Sequence, residues 1–146
     1  MEAVVLIGLQ ASGKSSFYLE RYFATHVRIS LDQLRTRHRE QTFLAACLST
    51  SQPFVIDNTN PTKTVRAPYL EAARKHKFTI SGYYFRSNVV ECLARNQKRA
   101  IAIPEVGIIA TAKRLERPTL CEGFDSLHYV QLTTNDFCVQ EWADEL

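Results

Sequence analysis

"GLQASGKS", residues 8–15, fits the pattern G-x-x-x-x-G-K-[S/T] at every fixed position. It directly follows "AVVLI", residues 3–7, an apolar and partly β-branched run of the kind found in strands that are buried on both faces. A helix is predicted after it, from Gly13 to about Tyr22. Because the motif lies between a strand and a helix, it indicates a phosphate-binding loop, or P-loop. The alternative is a glycine-rich turn that only caps a helix.

The P-loop motif predicts binding of a nucleoside triphosphate with magnesium. Backbone N–H groups of such a loop and the positive end of the following helix surround the phosphates, and the glycines permit their close approach. Lys14 is predicted to reach the β- and γ-phosphate oxygens, and Ser15 to bind Mg²⁺. The predicted nucleotide-binding residues are Gly8, Leu9, Gln10, Ala11, Ser12, Gly13, Lys14, Ser15 and Ser16.

Strands and helices alternate along the rest of the chain, which predicts an α/β three-layer sandwich around a central, mostly parallel five-stranded sheet. In such sheets, ligands bind at the carboxyl ends of the strands. The four further candidate strands are 26–30, 53–57, 78–85 and 127–132.

Helix boundaries follow from capping residues and prolines. Asn60 is predicted as the N-cap of a helix that has Pro61 at its first position, and Pro68 is expected to kink or divide that helix. A second helix is predicted over 87–99 with Ser87 as its cap.

Composition and length narrow the functional class. The chain has 146 residues and a net charge of +3, which suits one domain and is compatible with phosphate or polyanionic ligands. Its four cysteines form no CxxC pair and no zinc-type cluster, and no secretory signal is evident. No apolar run approaches the roughly 18 residues of a membrane span. We therefore expect a cytoplasmic protein without a membrane segment.

Two carboxylates follow candidate strands, at the edge where a ligand would lie. Asp57 ends the apolar strand "FVID" (residues 54–57), a position typical of a Walker-B carboxylate that holds Mg²⁺. The alternative for Asp57 is an Asx-turn that leads into the helix at Pro61.

Asp32 has two interpretations that do not exclude each other. Phosphoryl transfer to a hydroxyl needs a carboxylate that accepts the proton, and Asp32 is a candidate. However, Ser30 followed by Gln33 predicts a capping box, in which Asp32 only complements the helix dipole.

Five stretches in order resemble the P-loop kinase domain of the polynucleotide 5′-hydroxyl kinases, a family that includes phage polynucleotide kinase and the kinase half of polynucleotide kinase/phosphatase. The resemblance extends from residue 3 to about residue 132 and implies an adenylate-kinase-like P-loop NTPase fold. The five stretches are "GLQASGKS", "SLDQLR", "VIDNTNPT", "CLARNQKR" and "EGFD".

The resemblance also implies roles for individual residues. Asp32 corresponds to the family's general base, and Arg35, three residues later, to an arginine on the substrate side. Arg95 and Arg99 match lid arginines that grip the nucleotide phosphates, although their spacing alone would equally suit a solvated basic helix face. The lid is expected at about residues 87–116 of a single domain that spans 1–146. The implied substrate-binding residues are Arg35, Asp57, Thr59 and Asn60.

The chain departs from the family at one point in the second motif, which reads "SLDQLR" where members commonly have Asn or Arg just before the Asp. No phosphatase motif is evident either, so we expect a free-standing kinase that works with separate ligase or phosphatase partners.

Together, these observations predict a Mg²⁺-dependent kinase that transfers the γ-phosphate of ATP or another NTP to the 5′-hydroxyl of RNA or DNA. Lys14, Asp32, Arg35, Arg95 and Arg99 are the predicted catalytic residues, and Ser15 and Asp57 the predicted metal ligands. Two alternatives remain open: a small-molecule P-loop kinase of the gluconate-kinase or zeta-toxin type, and a nucleotide-binding switch protein with weak NTPase activity.

Overall fold

The computed structural model describes residues 1–134 and 136–144. Within them lies a six-stranded sheet in the order β2-β3-β1-β4-β5-β6. Strands β1 to β5 are parallel to their neighbours, and β6 runs antiparallel to β5 at one edge. The mostly parallel sheet is confirmed, whereas the predicted number of five strands is wrong because β6 was not foreseen. The strands are β1 (Glu2–Ile7), β2 (Val27–Ile29), β3 (Phe54–Asp57), β4 (Thr79–Phe85), β5 (Ser126–Leu132) and β6 (Phe137–Glu141).

Helices cover both faces of the sheet and form a separate pair. Their bounds in the described residues are α1 (Lys14–Arg21), α2 (Leu31–Leu34), α3 (Arg37–Thr50), α4 (Lys63–Lys75), α5 (Val89–Gln97) and α6 (Glu105–Arg114), followed by a 3₁₀ turn (Leu120–Glu122).

The side chains of β1 alternate between the two faces of the sheet. Val5 and Ile7 belong to a core with residues of α3 and α4, such as Leu70. Val4 and Leu6 belong to a second core, which includes residues of α1. Since β1 is almost fully buried from Ala3 onward, its continuous apolar run follows from burial on both faces. The predicted three-layer sandwich is confirmed.

The register of the sheet brings the two sequence motifs together. Leu6 of β1 pairs with Asp57 at the end of β3, so the P-loop and Asp57 leave the sheet at the same edge. Ile29 of β2 pairs with Ile56, which brings the start of α2 to that edge as well. The candidate site therefore lies at the carboxyl ends of β1, β2 and β3.

Two predicted N-cap residues and one predicted capping box are wrong. The N-cap of α4 is Thr62, whose side chain accepts a hydrogen bond from the Val65 N–H. The N-cap of α5 is Asn88 instead of Ser87. Ser30 is the N-cap of α2, but its hydroxyl makes no capping bond, so the capping box with Gln33 does not form.

Pro68 does not divide α4, which continues from Lys63 to Lys75. A proline inside a helix leaves one carbonyl unpaired, here that of Thr64 four residues earlier. Both residues are exposed, so water can take the missing donor's place. The described helices are also all too short or too polar to cross a membrane.

Candidate active site

The P-loop is held to its neighbours by hydrogen bonds from its own backbone N–H groups. The Gly8 N–H donates to the Thr59 carbonyl at 3.0 Å, and the Leu9 N–H donates to the Ser87 hydroxyl at 3.1 Å. Gly13, the N-cap of α1, has a φ of 104°, a backbone conformation that residues other than glycine rarely adopt. The invariant glycine of the motif is therefore required here by geometry, and α1 begins with its N-terminus at the loop.

Lys14 is buried inside this loop. Its ammonium donates to the carbonyls of Gly8 at 2.9 Å and Leu9 at 2.7 Å. Burial lowers the pKa of Lys14 to about 8, against the opposing pull of the Asp57 and Asp32 carboxylates. The charge of Arg99 lowers it further. These charges act on Lys14 only because the four side chains gather at the same edge of the sheet.

The affinity for nucleotide should fall as the pH rises through about 8. Below that pH Lys14 carries the positive charge that attracts the phosphates, and above it the charge is lost while the phosphates stay fully ionised. Fluorescence titration with a labelled, non-hydrolysed ATP analogue between pH 7 and 9.5 measures this. The Lys14→Arg variant is the control, because an arginine keeps its charge over this range. An equally steep decline in that variant would contradict the assignment to Lys14.

Ser15 and Asp57 form a pair of oxygen ligands suited to Mg²⁺. The Ser15 hydroxyl donates to Asp57 Oδ2 at 2.9 Å. Asp57 is 4% exposed and lies at the end of β3 beside the P-loop. A hydroxyl and a carboxylate are the hard donors that magnesium takes together with phosphate oxygens. The residues present therefore fit the ion, which would neutralise phosphate charge when bound.

Arg28 on β2 is a residue of this site that the sequence analysis did not identify. Its Nε donates to Asp57 Oδ2 at 2.8 Å, and its Nη2 donates to the Ser15 hydroxyl at 3.2 Å. The two predicted metal ligands thus share one guanidinium. The only sequence signal was an arginine within the short strand "VRI" (residues 27–29), directly before the Asp32 motif.

Asp32 lies in the first turn of α2 and is exposed at the edge of the site. The Leu31 N–H at the start of this helix is bonded by Asn58 Oδ1 at 2.9 Å, in place of the predicted capping by Ser30. A neighbouring loop, and not the helix's own cap, therefore fixes α2. Asp32 remains free to face a substrate.

Asn58 is in turn anchored by Glu40, a buried residue of α3 that the sequence analysis did not single out. Its amide donates to Glu40 Oε2 at 2.9 Å, and the Tyr69 hydroxyl donates to Glu40 Oε1 at 2.8 Å. Arg37 also donates to Glu40 Oε1, at 3.0 Å. Burial and the bond to Glu40 raise the pKa of Tyr69 to about 12, so Tyr69 stays a protonated donor at neutral pH. This network ties α3 and α4 to the loop after β3, whose Asn58 holds the start of α2.

The other predicted substrate residues differ in their placement. Arg35, exposed at the end of α2, has a φ of 75°, an unusual value for a residue with a side chain. Thr59 is half-buried beside the P-loop. Asn60 is 1% exposed, and its amide donates to the Leu6 carbonyl at 2.6 Å. Asn60 therefore holds the loop after β3 against β1. Its burial is explained by this structural contact.

The predicted lid segment contains α5 and α6, which pack on the P-loop. Leu9 of the loop belongs to the same apolar cluster as Cys92 and Ile108. Arg95 Nη1 donates to the Ala11 carbonyl at 3.0 Å, which brings this guanidinium to the loop. Arg99 lies in the turn after α5 and is exposed. Arg95 thus lies against the P-loop, and the charge of Arg99 acts on Lys14.

Gln10 connects the loop to the second helix of this pair. Its amide nitrogen donates to the Thr111 hydroxyl of α6 at 3.1 Å, and its Oε1 is buried without a partner among the described residues. Thr111 was not foreseen, since no local pattern links residues 101 positions apart.

Comparison with known proteins gives the family. Residues 4–118 match the model of the AAA_33 family, described as an AAA domain. The chain belongs to this family. Over 153 aligned residues it is 29% identical to the bifunctional polynucleotide phosphatase/kinase of Schizosaccharomyces pombe. The alignment covers 98% of this chain but only 36% of that relative, so the chain spans little more than a third of it.

Solved structures share the fold. A gluconokinase from Sinorhizobium meliloti 1021 has a TM-score of 0.67 at 18% identity, with 92% of this chain and 84% of that one covered. Kti12 from Chaetomium thermophilum, solved in complex with ADP-AlF3, has a TM-score of 0.64 at 18% identity, with 92% and 91% covered. At this identity, the likeness establishes the fold of a P-loop kinase and leaves the acceptor open.

Proposed function

We propose that this protein is a kinase that transfers the γ-phosphate of ATP or another NTP to the 5′-hydroxyl of RNA or DNA. The observation that carries the proposal is the position of Asp32, an exposed carboxylate whose charge acts on the P-loop lysine. A carboxylate beside the phosphate cradle is what transfer to a hydroxyl requires. The bifunctional polynucleotide phosphatase/kinase of Schizosaccharomyces pombe, 29% identical to the chain, supports a polynucleotide acceptor.

Each residue has a role in this reaction. The acceptor oxygen forms a bond to the γ-phosphorus, the bond to the β-phosphate oxygen breaks, and Asp32 accepts the proton from the hydroxyl. Lys14, Arg95 and Arg99 stabilise the charge on the transferring group, and Arg35 binds the acceptor strand. Ser15 and Asp57 hold Mg²⁺, which supplies further positive charge at the phosphates.

Helices α5 and α6 are proposed to act as a lid. Arg95 already contacts the P-loop backbone, and Leu9 packs beneath the pair. Closure over the triphosphate would exclude water and so suppress hydrolysis of the nucleotide.

The acceptor assay tests this function. Incubation with γ-labelled ATP and Mg²⁺ should transfer label to RNA or DNA oligonucleotides with a 5′-hydroxyl. Matched oligonucleotides that already carry a 5′-phosphate should stay unlabelled, because their 5′-hydroxyl is blocked. Parallel reactions contain gluconate and other small hydroxylated metabolites in place of the oligonucleotide. Labelling of a metabolite with unlabelled oligonucleotides would contradict the proposal, and ATP binding without any labelled acceptor would favour a switch protein.

A small-molecule kinase is the second candidate, and one feature favours it. A cleft of about 120 Å³ beside α2 is lined by Leu31, Asn58, Thr59 and Arg114 among others. Polar groups at the mouth of so small a cleft would suit a small polyhydroxylated acceptor. The metabolite arm of the acceptor assay distinguishes this candidate from the first.

A further inference from the structure

The guanidinium of Arg28 is bonded to both groups that would hold magnesium. Asp57 Oδ2 accepts from the Ser15 hydroxyl at 2.9 Å and from Arg28 Nε at 2.8 Å. Arg28 Nη2 donates to the Ser15 oxygen at 3.2 Å, which closes a ring of three hydrogen bonds. The side chain of Asp57 is 2% exposed and that of Arg28 27% exposed, so the pair is largely shielded from water.

These bonds occupy some of the oxygen lone pairs that a metal ion would use. Magnesium requires close oxygen ligands in near-ideal octahedral geometry. The Ser15 oxygen donates its proton to Asp57 and accepts from Arg28, so one of its two lone pairs is taken. A divalent cation at this pair would also lie beside a guanidinium in a shielded environment, where repulsion between like charges is strong.

From this geometry we infer that the guanidinium of Arg28 competes with Mg²⁺ for the oxygen atoms of Ser15 and Asp57. Arg28 reduces the factor by which Mg²⁺ increases nucleotide affinity. It thereby raises the Mg²⁺ concentration needed for half-maximal nucleotide binding. The inference rests only on the nucleotide and magnesium part of the proposed function.

The test compares nucleotide affinity with and without metal. The dissociation constant of a labelled, non-hydrolysed ATP analogue is measured in EDTA and in excess Mg²⁺, and the ratio of the two constants gives the benefit of magnesium. In Arg28→Gln this ratio should increase about fivefold to tenfold, since a neutral amide neither repels the ion nor neutralises Asp57. The Mg²⁺ concentration for half-maximal binding should fall by a similar factor.

Two further variants support the comparison. Arg28→Lys keeps the charge but loses the two-pronged contact, so its ratio should lie between those of the native protein and Arg28→Gln. Arg21→Gln removes an exposed arginine on α1 that forms an ion pair with Glu20 and lies over the Phe17 ring, away from Ser15 and Asp57, and its ratio should equal the native value. Circular dichroism of each variant reports whether the fold is kept, and if Arg28→Gln does not fold, Arg28→Lys alone decides.

Three results would overturn the inference: an unchanged ratio in the folded Arg28 variants, a smaller ratio, or an equal increase in Arg21→Gln. An unchanged or smaller ratio would show that Arg28 does not compete with magnesium. An equal increase in Arg21→Gln would show that the ratio depends on the net charge of the protein and not on Arg28. The proposed function fails separately, because the acceptor assay uses the native protein. A protein that phosphorylates no 5′-hydroxyl can still show the change in ratio.

Discussion

Asp32→Asn should lower the rate of phosphoryl transfer about 10²- to 10⁴-fold, the range typical of a lost general base. The amide has nearly the shape of the carboxylate but cannot accept the proton of the acceptor hydroxyl. Nucleotide affinity should stay within about threefold of the native value, because Asp32 is exposed on α2 and is not part of the P-loop. The acceptor assay and the nucleotide titration measure the two quantities.

A second readout tests whether Asp32 lies where its role requires. Its carboxylate is one of the charges that raise the pKa of Lys14, against the lowering by burial. Removing that charge should therefore move the pH-dependent loss of nucleotide affinity to a lower pH. Glu20→Gln, which neutralises an exposed carboxylate on α1, is the control and should change neither transfer nor the pH profile. Transfer at more than half the native rate in Asp32→Asn would exclude Asp32 as the base.

The sequence predicted those parts of the site that depend on neighbouring residues along the chain. Lys14 and Ser15 belong to one short motif whose glycines fix the backbone, so their placement needs no long-range information. Asp57 could be foreseen because it ends an apolar strand, and parallel strands bring their carboxyl ends to one edge. The alternation of strands and helices likewise predicted the layers of the fold.

The parts that were missed depend on partners far away in the sequence. Ser30 and Gln33 form a capping pattern, yet Asn58 takes the Leu31 N–H because the Glu40 network holds it there. Arg28 became part of the site only through β2 pairing beside β3. Strand β6 lacks clear alternation in "FCVQE" and pairs only along one edge, so its pattern was weak. Tertiary contacts can override local sequence patterns, and here they determine both the capping of α2 and the position of Arg28.

Arg66 is the residue whose loss should destabilise the fold most. Its side chain is fully buried and donates from Nε and Nη2 to the two carboxylate oxygens of Glu122, at 2.8 and 3.1 Å. Its Nη1 donates to the carbonyls of Asn60 and Glu116, at 2.9 and 3.1 Å. One guanidinium thus joins α4, the loop after Asp57, the end of the α5–α6 segment and the 3₁₀ turn.

Arg66→Met should lower the free energy of unfolding by about 3–5 kcal/mol, because it leaves the Glu122 carboxylate, whose side chain is only 9% exposed, without its charged partner. Urea unfolding at pH 7 measures the change.

Arg74→Met is the matched control: this exposed arginine on the same helix donates one bond, to the Gly123 carbonyl at 3.2 Å, and its loss should cost less than about 0.5 kcal/mol. Glu122→Leu combined with Arg66→Met should recover part of the loss, since no buried charge then remains. A loss below about 1 kcal/mol in Arg66→Met would mean that water replaces the guanidinium, contrary to the burial of this pair. The Asn60 carbonyl also loses its Arg66 donor in this variant, so nucleotide affinity of the folded variant reports whether the loop after Asp57 depends on that bond.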